Sequence, residues 1–302
     1  MAMDYVSSSF DALPNASALS FFHRLHLVYA RNAKLFLTIV TPAALFSAFV
    51  VYVTLVKAGE LAALGRAHQW SLAGAPGFNK YLLASGAMRF AGTAISWIVN
   101  VFAFAAVARA VASIRDGTPV SAEDCFAPAR AQVKTIVVLA LALLGLAVPA
   151  FLASSAWVAL SFFFDLPRWI WIGSYPVLAL GSAYMATYAL SVPVAVLEGA
   201  GVKAALRKSG VLTEHSFGLL LLLVSESLVS GYVAALAPYW IANMVAHRIG
   251  WAVWGNWILW GAAVYGVALA DLVLLIGLSV LYLELANPAA QAGAASAMRW
   301  SG

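Results

Sequence analysis

Cysteine and charge are what this chain has least of. Among 302 residues Cys125 is the only cysteine, so no internal disulfide forms and no cysteine-based zinc or iron–sulfur site assembles within one chain. Charged residues make up 10% of the sequence against 64% hydrophobic. Catalytic signatures are missing too: there is no G-x-S-x-G, no H-E-x-x-H, no Walker loop and no kinase set. Ser154, Ser155 and Ser209 have no nearby histidine–acid arrangement. The five histidines, His23, His26, His68, His215 and His247, fall at expected helix ends or in loops, which excludes a bis-histidine haem inside a bundle. His23 and His26 share a face at helical spacing, but two ligands without a third make no metal site. The expectation is no enzyme, no cofactor and no metal.

What is present is length in apolar runs. Crossing a bilayer takes about 20 predominantly apolar residues. Six segments meet that requirement, near 35–57, 82–108, 135–163, 170–197, 216–245 and 252–285. Backbone groups in hydrocarbon must satisfy one another, so these segments are helices, and the alternating pattern of a membrane barrel is absent. The expected fold is all-α, a polytopic membrane protein with six transmembrane helices. Connections are short, leaving no room for a soluble catalytic head. The first 34 residues are mixed and polar, too long a lead for a signal peptide, and Val56-Lys57-Ala58 reads as the end of an uncleaved first span.

The net charge of +5 sits mostly in loops beside these helices. Anionic lipid head groups are the counter-charge there, and nucleic acid is not an expected partner. Arg24, Arg31, Lys34, Arg109, Arg115, Arg130, Lys134, Lys203, Arg207, Lys208 and Arg299 fall on one side. Lys57, Arg66, Lys80, Arg168 and Arg248 fall on the other. This bias predicts both termini in the cytoplasm, with the chain integral to a cytoplasmic (inner) membrane. Trp169, Trp171, Tyr239, Trp240, Trp251, Trp254 and Trp257 make an aromatic belt at the opposite interface.

A short amphipathic segment precedes each outward-going helix. In the first, Ser20, Arg24, Arg31 and Lys34 oppose Phe22, Leu25 and Tyr29. In the second, Glu123, Arg130 and Lys134 oppose Ala122, Phe126, Ala129 and Val133; in the third, Lys203, Arg207 and Glu214 oppose Val202, Ala205, Leu206 and Leu212. The second and third align at an offset of about 80 residues, Glu123 on Lys203 and Lys134 on Glu214. The chain therefore reads as three repeated units of interfacial helix plus transmembrane hairpin, about 17–116, 117–200 and 201–286. They form one membrane domain over 17–286, between a mobile N-terminus (1–16) and a flexible cytoplasmic tail (287–302). Three membrane-proximal amphipathic segments without any repeat would read similarly. Pro119 and Ser121-x-x-Asp124 form a capping-box variant opening the second segment. Pro42, Pro149, Pro176, Pro193 and Pro238 lie in or near spans, where each is either a hinge or an inert kink.

Ionisable residues inside a membrane are costly and are functional candidates by default. Glu226 lies about 15 Å above the cytoplasmic end of the fifth helix, and Asp271 about 20 Å above Glu284 on the sixth. Arg89 lies about 30 Å above Arg109, near the outer interface. Glu226 and Asp271 read either as a proton- or cation-handling pair or as a structural network with Arg89, Ser225, Ser227 and Ser230. Glu198 and Glu284 fall at cytoplasmic helix ends, where a carboxylate stays solvated. Arg24, Arg31, Arg130, Lys134, Lys203, Arg207 and Lys208 are the candidate lipid- or partner-facing cations.

Pro193-Val-Ala-Val-Leu-Glu198-Gly-Ala-Gly-Val-Lys-Ala-Ala-Leu-Arg-Lys-Ser209, followed by Gly-Val-Leu-Thr-Glu-His-Ser-Phe217 and a leucine run, resembles a recurring bacterial pattern. It looks like the multi-pass membrane domain attached to some glycerophosphoryl diester phosphodiesterases and its stand-alone relatives. The connection from Gly117 through Phe126 to Lys134 is similar to that group's preceding loop, and the likeness covers roughly 85–285. The pattern is a topology signature with no catalytic residues, and the soluble barrel is absent, so diesterase activity does not follow. The resemblance implies a six-span module concerned with lipid or envelope processes, or one that anchors a partner.

Three functions are open at this point. One is a non-enzymatic scaffold or regulator of a membrane-associated partner, with anionic lipids and a protein partner or homo-oligomer at the cytoplasmic face. Another is a small proton- or cation-coupled transporter or flippase using Glu226 and Asp271. The least supported is an intramembrane lipid-acting enzyme.

Overall fold

The structure, a computed structural model, describes residues 18–67, 78–163, 184–214, 216–227 and 272–286, with isolated helical positions at 181, 229, 230, 233 and 244. All regular elements among the described residues are helical, and they include no strand. Two helices are long and apolar enough to cross a membrane, over Phe21–Val50 and Phe90–Arg115. A bent pair, Ala122–Ala131 with Val133–Leu146, adds a third if it counts as one span. The expected span 252–285 lies largely outside the described residues, as does nearly half of 216–245 and of 170–197.

The first helix, α1 (Ala18–Ala67), is longer at both ends than the sequence suggests. Its amphipathic start is not a separate helix but runs into the span through a kink at Asn32 (φ −119°, ψ 19°). The Asn32 side-chain amide donates to the Val28 carbonyl at 3.0 Å. It thereby takes the acceptor that the helical N–H of Asn32 would use, a competition characteristic of short polar side chains. At the far end the helix passes Val56-Lys57-Ala58 and continues to Ala67. A lone Gly59 weakens a helix without stopping it.

The hub is α2 (Phe78–Arg115), which packs against α1 and three later helices. From Val101 to Ser113 nearly every side chain is buried, with Arg109 the exposed exception, and six of those residues are alanines. Hydrocarbon supplies no hydrophobic drive between helices, so association rests on close van der Waals approach, which small side chains permit. The helix ends at Gly117, whose φ of 66° suits glycine. Gly117 N–H donates to Ile114 and Thr118 N–H to Ser113, the paired bonds of a Schellman stop.

Ser121 then caps α3 (Ala122–Ala131), and its capping box with Asp124 is complete. At Gln132 (φ −113°, ψ 28°) the backbone leaves helical geometry, and α4 (Val133–Phe163) departs at 84°. The break lies before Lys134, so that cation opens α4 and does not belong to the amphipathic helix. Trp97 on α2 donates its indole N–H to the Ala140 carbonyl of α4 at 2.9 Å.

The stretch 184–198 is helical but interrupted at Leu190, and its second part is α5 (Ser191–Glu198). Pro193 has no N–H to give to the carbonyl of Ala189. Gly199 (φ 71°) ends α5. The amphipathic α6 (Val202–Thr213) follows, then α7 (Phe217–Ser227) and α8 (Leu272–Leu285). Gly277 of α8 sits so close to α7 that a Cβ there would meet Leu223 Cδ1 at 2.6 Å.

Candidate functional site

Polar side chains meet where the amphipathic segments approach the ends of α5 and α8. Tyr282 and Glu284 lie in the last turn of α8. Glu284 accepts a hydrogen bond from Arg24 of α1 at 2.9 Å, with the Arg24 side chain only 14% exposed. Tyr282, itself buried, donates its hydroxyl to Glu198 at the end of α5. Lys208 of α6 places its ammonium 2.7 Å from both Glu198 oxygens. One helix end therefore ties α1 on one flank and α5 on the other, and α5 ties α6. Burial pushes the Glu198 carboxyl up, but the Lys208 ammonium and Tyr282 hydroxyl pull it further down, leaving it below its ordinary value.

A second set of bonds docks α6. The interruption at Leu190 frees carbonyls that a continuous helix would consume. Ser209, on the buried side of α6, donates its hydroxyl to the Thr187 carbonyl; Thr213 Oγ1 shares its proton between that carbonyl at 3.3 Å and the Ser209 carbonyl at 2.9 Å; and Ser191 donates its own to Tyr188. A buried carbonyl without a donor is expensive, so these hydroxyls are what make the interruption tolerable.

Glu226 on α7 does not stand alone. One carboxylate oxygen lies 3.1 Å from His26 Nε2 of α1, and the other is buried with no hydrogen-bond partner among the described residues. The His26 ring is 56% exposed, so the pair runs from an accessible imidazole to a covered oxygen. Asp271, the expected partner, lies outside the described residues, as does the side chain of Arg89, whose backbone is in α2.

The expected lipid- or partner-facing cations divide into two groups. Arg31, Lys34, Arg130, Lys134, Lys203 and Arg207 are exposed. Arg130 also donates to the Glu123 carbonyl at 3.1 Å. Arg24 differs from them: its side chain is mostly covered and paired with Glu284. Lys208 is partly spent on Glu198. Glu198 and Glu284, expected to be merely solvated, prove to be the acceptors of a polar collar that Arg24, Tyr282 and Lys208 build at the ends of α5 and α8. Their one sequence signal is position, each acid lying at the end of an apolar run. Cys125, buried in α3, has its thiol pushed up to about 11, chiefly by burial, with Arg109 pulling the other way. No group of three or more metal-ligating side chains occurs among the described residues. No family model, curated protein or solved structure matches the chain.

Proposed function

We propose that the chain is a non-enzymatic integral membrane module of three repeated units and six spans. It presents a fixed cationic rim at the cytoplasmic face to anionic lipid and to a membrane-associated partner. One observation carries the repeat: the spacing of buried side chains around the three breaks. Four and seven residues after Asn32 come Phe36 and Ile39; after Gln132, Ile136 and Leu139; after Ser216, Leu220 and Leu223. All six are fully buried. Seven residues before the same breaks stand Leu25, Cys125 and Ser209, again fully buried. The two corresponding helix ends carry an acid followed by a positive-φ glycine, Asp116-Gly117 and Glu198-Gly199. Three amphipathic-to-span junctions that share one buried register support three copies of one unit.

The rim follows from what the collar uses. Arg24 is paired inward and Lys208 is paired with Glu198 while partly exposed, whereas Arg31, Lys34, Arg130, Lys134, Lys203 and Arg207 remain exposed beside the spans. Cations in that position attract anionic head groups at about 1 kcal/mol each. The lipid or envelope setting rests on the resemblance at 193–217. Lys203→Gln with Arg207→Gln should reduce the anionic lipid that co-purifies with the protein, measured by mass spectrometry of the bound lipid. Equal anionic lipid in variant and parent would remove the rim reading.

A second reading, a proton- or cation-coupled transporter, is favoured by one observation only, the covered Glu226 oxygen that has no partner among the described residues. Under it, Glu226→Gln and Asp271→Asn abolish flux in reconstituted vesicles while the melting temperature holds. Under the module reading both changes mainly alter stability.

A further inference from the structure

The first amphipathic segment is fastened to the far end of the chain. Arg24 reaches Glu284, 260 residues away, and His26 reaches Glu226, 200 residues away. Two residues apart on a helix is about 200° of rotation, so the two ties leave from nearly opposite flanks. Between those flanks runs an apolar stripe at helical spacing, Phe21, Leu25 and Val28, all buried. The segment is thus a ridge with its apolar edge inward, tied to α8 on one flank and to α7 on the other. Those two helices are themselves in close contact at Gly277 and Leu223.

The other amphipathic helices behave differently. Each docks on the helix just before it in sequence, α3 on α2 and α6 on α5. The first segment instead takes the equivalent place against α7 and α8, through His26 and Arg24. Arg24 and Lys208 both stand eight residues before their breaks, and both bind a carboxylate at the end of a returning helix, Glu284 and Glu198. One docking mode is thus repeated at α1 and α6, each anchored by a cation eight residues before its break.

Two features make this docking movable. Asn32 is a single residue of non-helical φ/ψ between the ridge and the span, so the ridge can swing as one body about it. The ties are a half-buried ion pair and a histidine–carboxylate contact that is largely exposed on the histidine side. We propose that residues 18–31 form a latch, hinged at Asn32, that seats on α7 and α8 and covers the Glu226 carboxylate. The proposal holds whether or not Glu226 handles ions, since it concerns what covers that group.

The test uses the full chain in nanodiscs with Cys125→Ser. With His26→Cys and Glu226→Cys together, a short thiol-specific bis-methanethiosulfonate should link the two positions within one chain. Cross-links only between chains, or none although both thiols react with maleimide, would overturn closure in cis. With Glu226→Cys alone, alkylation by a water-soluble maleimide should be slow. It should rise several-fold when Arg24→Gln releases the remaining tie. Arg24→Glu should raise it likewise, and adding Glu284→Arg should restore protection. An alkylation rate indifferent to residue 24, or one raised by Arg24→Glu and not restored by the reversed pair, would overturn the latch.

Discussion

The helices α3 and α6 answer one problem in two ways. Both are short, amphipathic and set before an apolar helix, and both bury small side chains. α3 is secured largely within itself. Its capping box satisfies the first turn, Glu123 and Asp124 complement the helix N-terminus, and Cys125 and Ala129 face inward with no side-chain hydrogen bond. The Ser121 side chain and N–H hold the Asp124 carboxyl below its usual value. α6 starts at Gly201 with no side-chain cap, and its inner face bonds to a neighbour through Ser209, Thr213 and Lys208. A helix with local closure keeps its place on small apolar contacts. One without it depends on the helix it covers, and α6 is accordingly coupled to the interruption at Leu190.

The sharpest way to break that comparison is to remove the hydroxyls under α6. Ser209→Ala with Thr213→Val leaves the Thr187 carbonyl buried without these donors, at a cost of about 1–3 kcal/mol. A fall in thermal stability in detergent, with loss of amide protection over 202–213 and none over 122–131, is the expected result. Equal loss at both helices would erase the distinction.

Ser121→Ala is the reciprocal change and should cost about 1 kcal/mol, confined to α3. Cys125 reports on it directly. Buried and with its thiol pushed up to about 11, it should resist alkylation in the parent and react faster in Ser121→Ala as α3 opens. Amide protection in α6 should not change.

Lys208→Met gives the smallest effect, under about 1 kcal/mol, because both partners are partly exposed. Its pH dependence is more telling than its size. Glu198 is held below its ordinary value, so its contribution is complete above the ordinary glutamate range of about 4.3 and is lost as pH falls through the lowered value. In Lys208→Met that acid loss should begin at higher pH, seen in melting curves recorded between neutral and acid pH. Superimposable acid limbs would show that the pair does not stabilise the fold.

What the sequence made legible was local. Ser121-x-x-Asp124 announces its capping box because both partners lie within one turn, and the apolar runs announce helices because bilayer thickness sets their length. The amphipathic faces were readable at Ala205 and Ala129, both buried as expected. The continuity of α1 through Asn32 was not, since a kink and a chain break leave the same pattern of faces. The collar was hidden for a different reason. Arg24 and Glu284 are separated by nearly the whole chain, and nothing in either neighbourhood names the other. Glu226 was legible as an unusual acid, but its contact with His26 was not, since 200 residues separate the two. The bond from Ser209 to Thr187 depends on a backbone carbonyl, which no side-chain pattern displays.

Three amphipathic junctions on one face of the membrane are the claim on which the rest depends. Single cysteines at Arg31, Glu123 and Lys203, all exposed, can be placed one at a time in a Cys125→Ser background. The expected result is that none is labelled by an impermeant maleimide from outside intact cells and that all three are labelled after permeabilisation. Labelling of any one from outside, while the others stay protected, would contradict the shared face and with it the three-unit module.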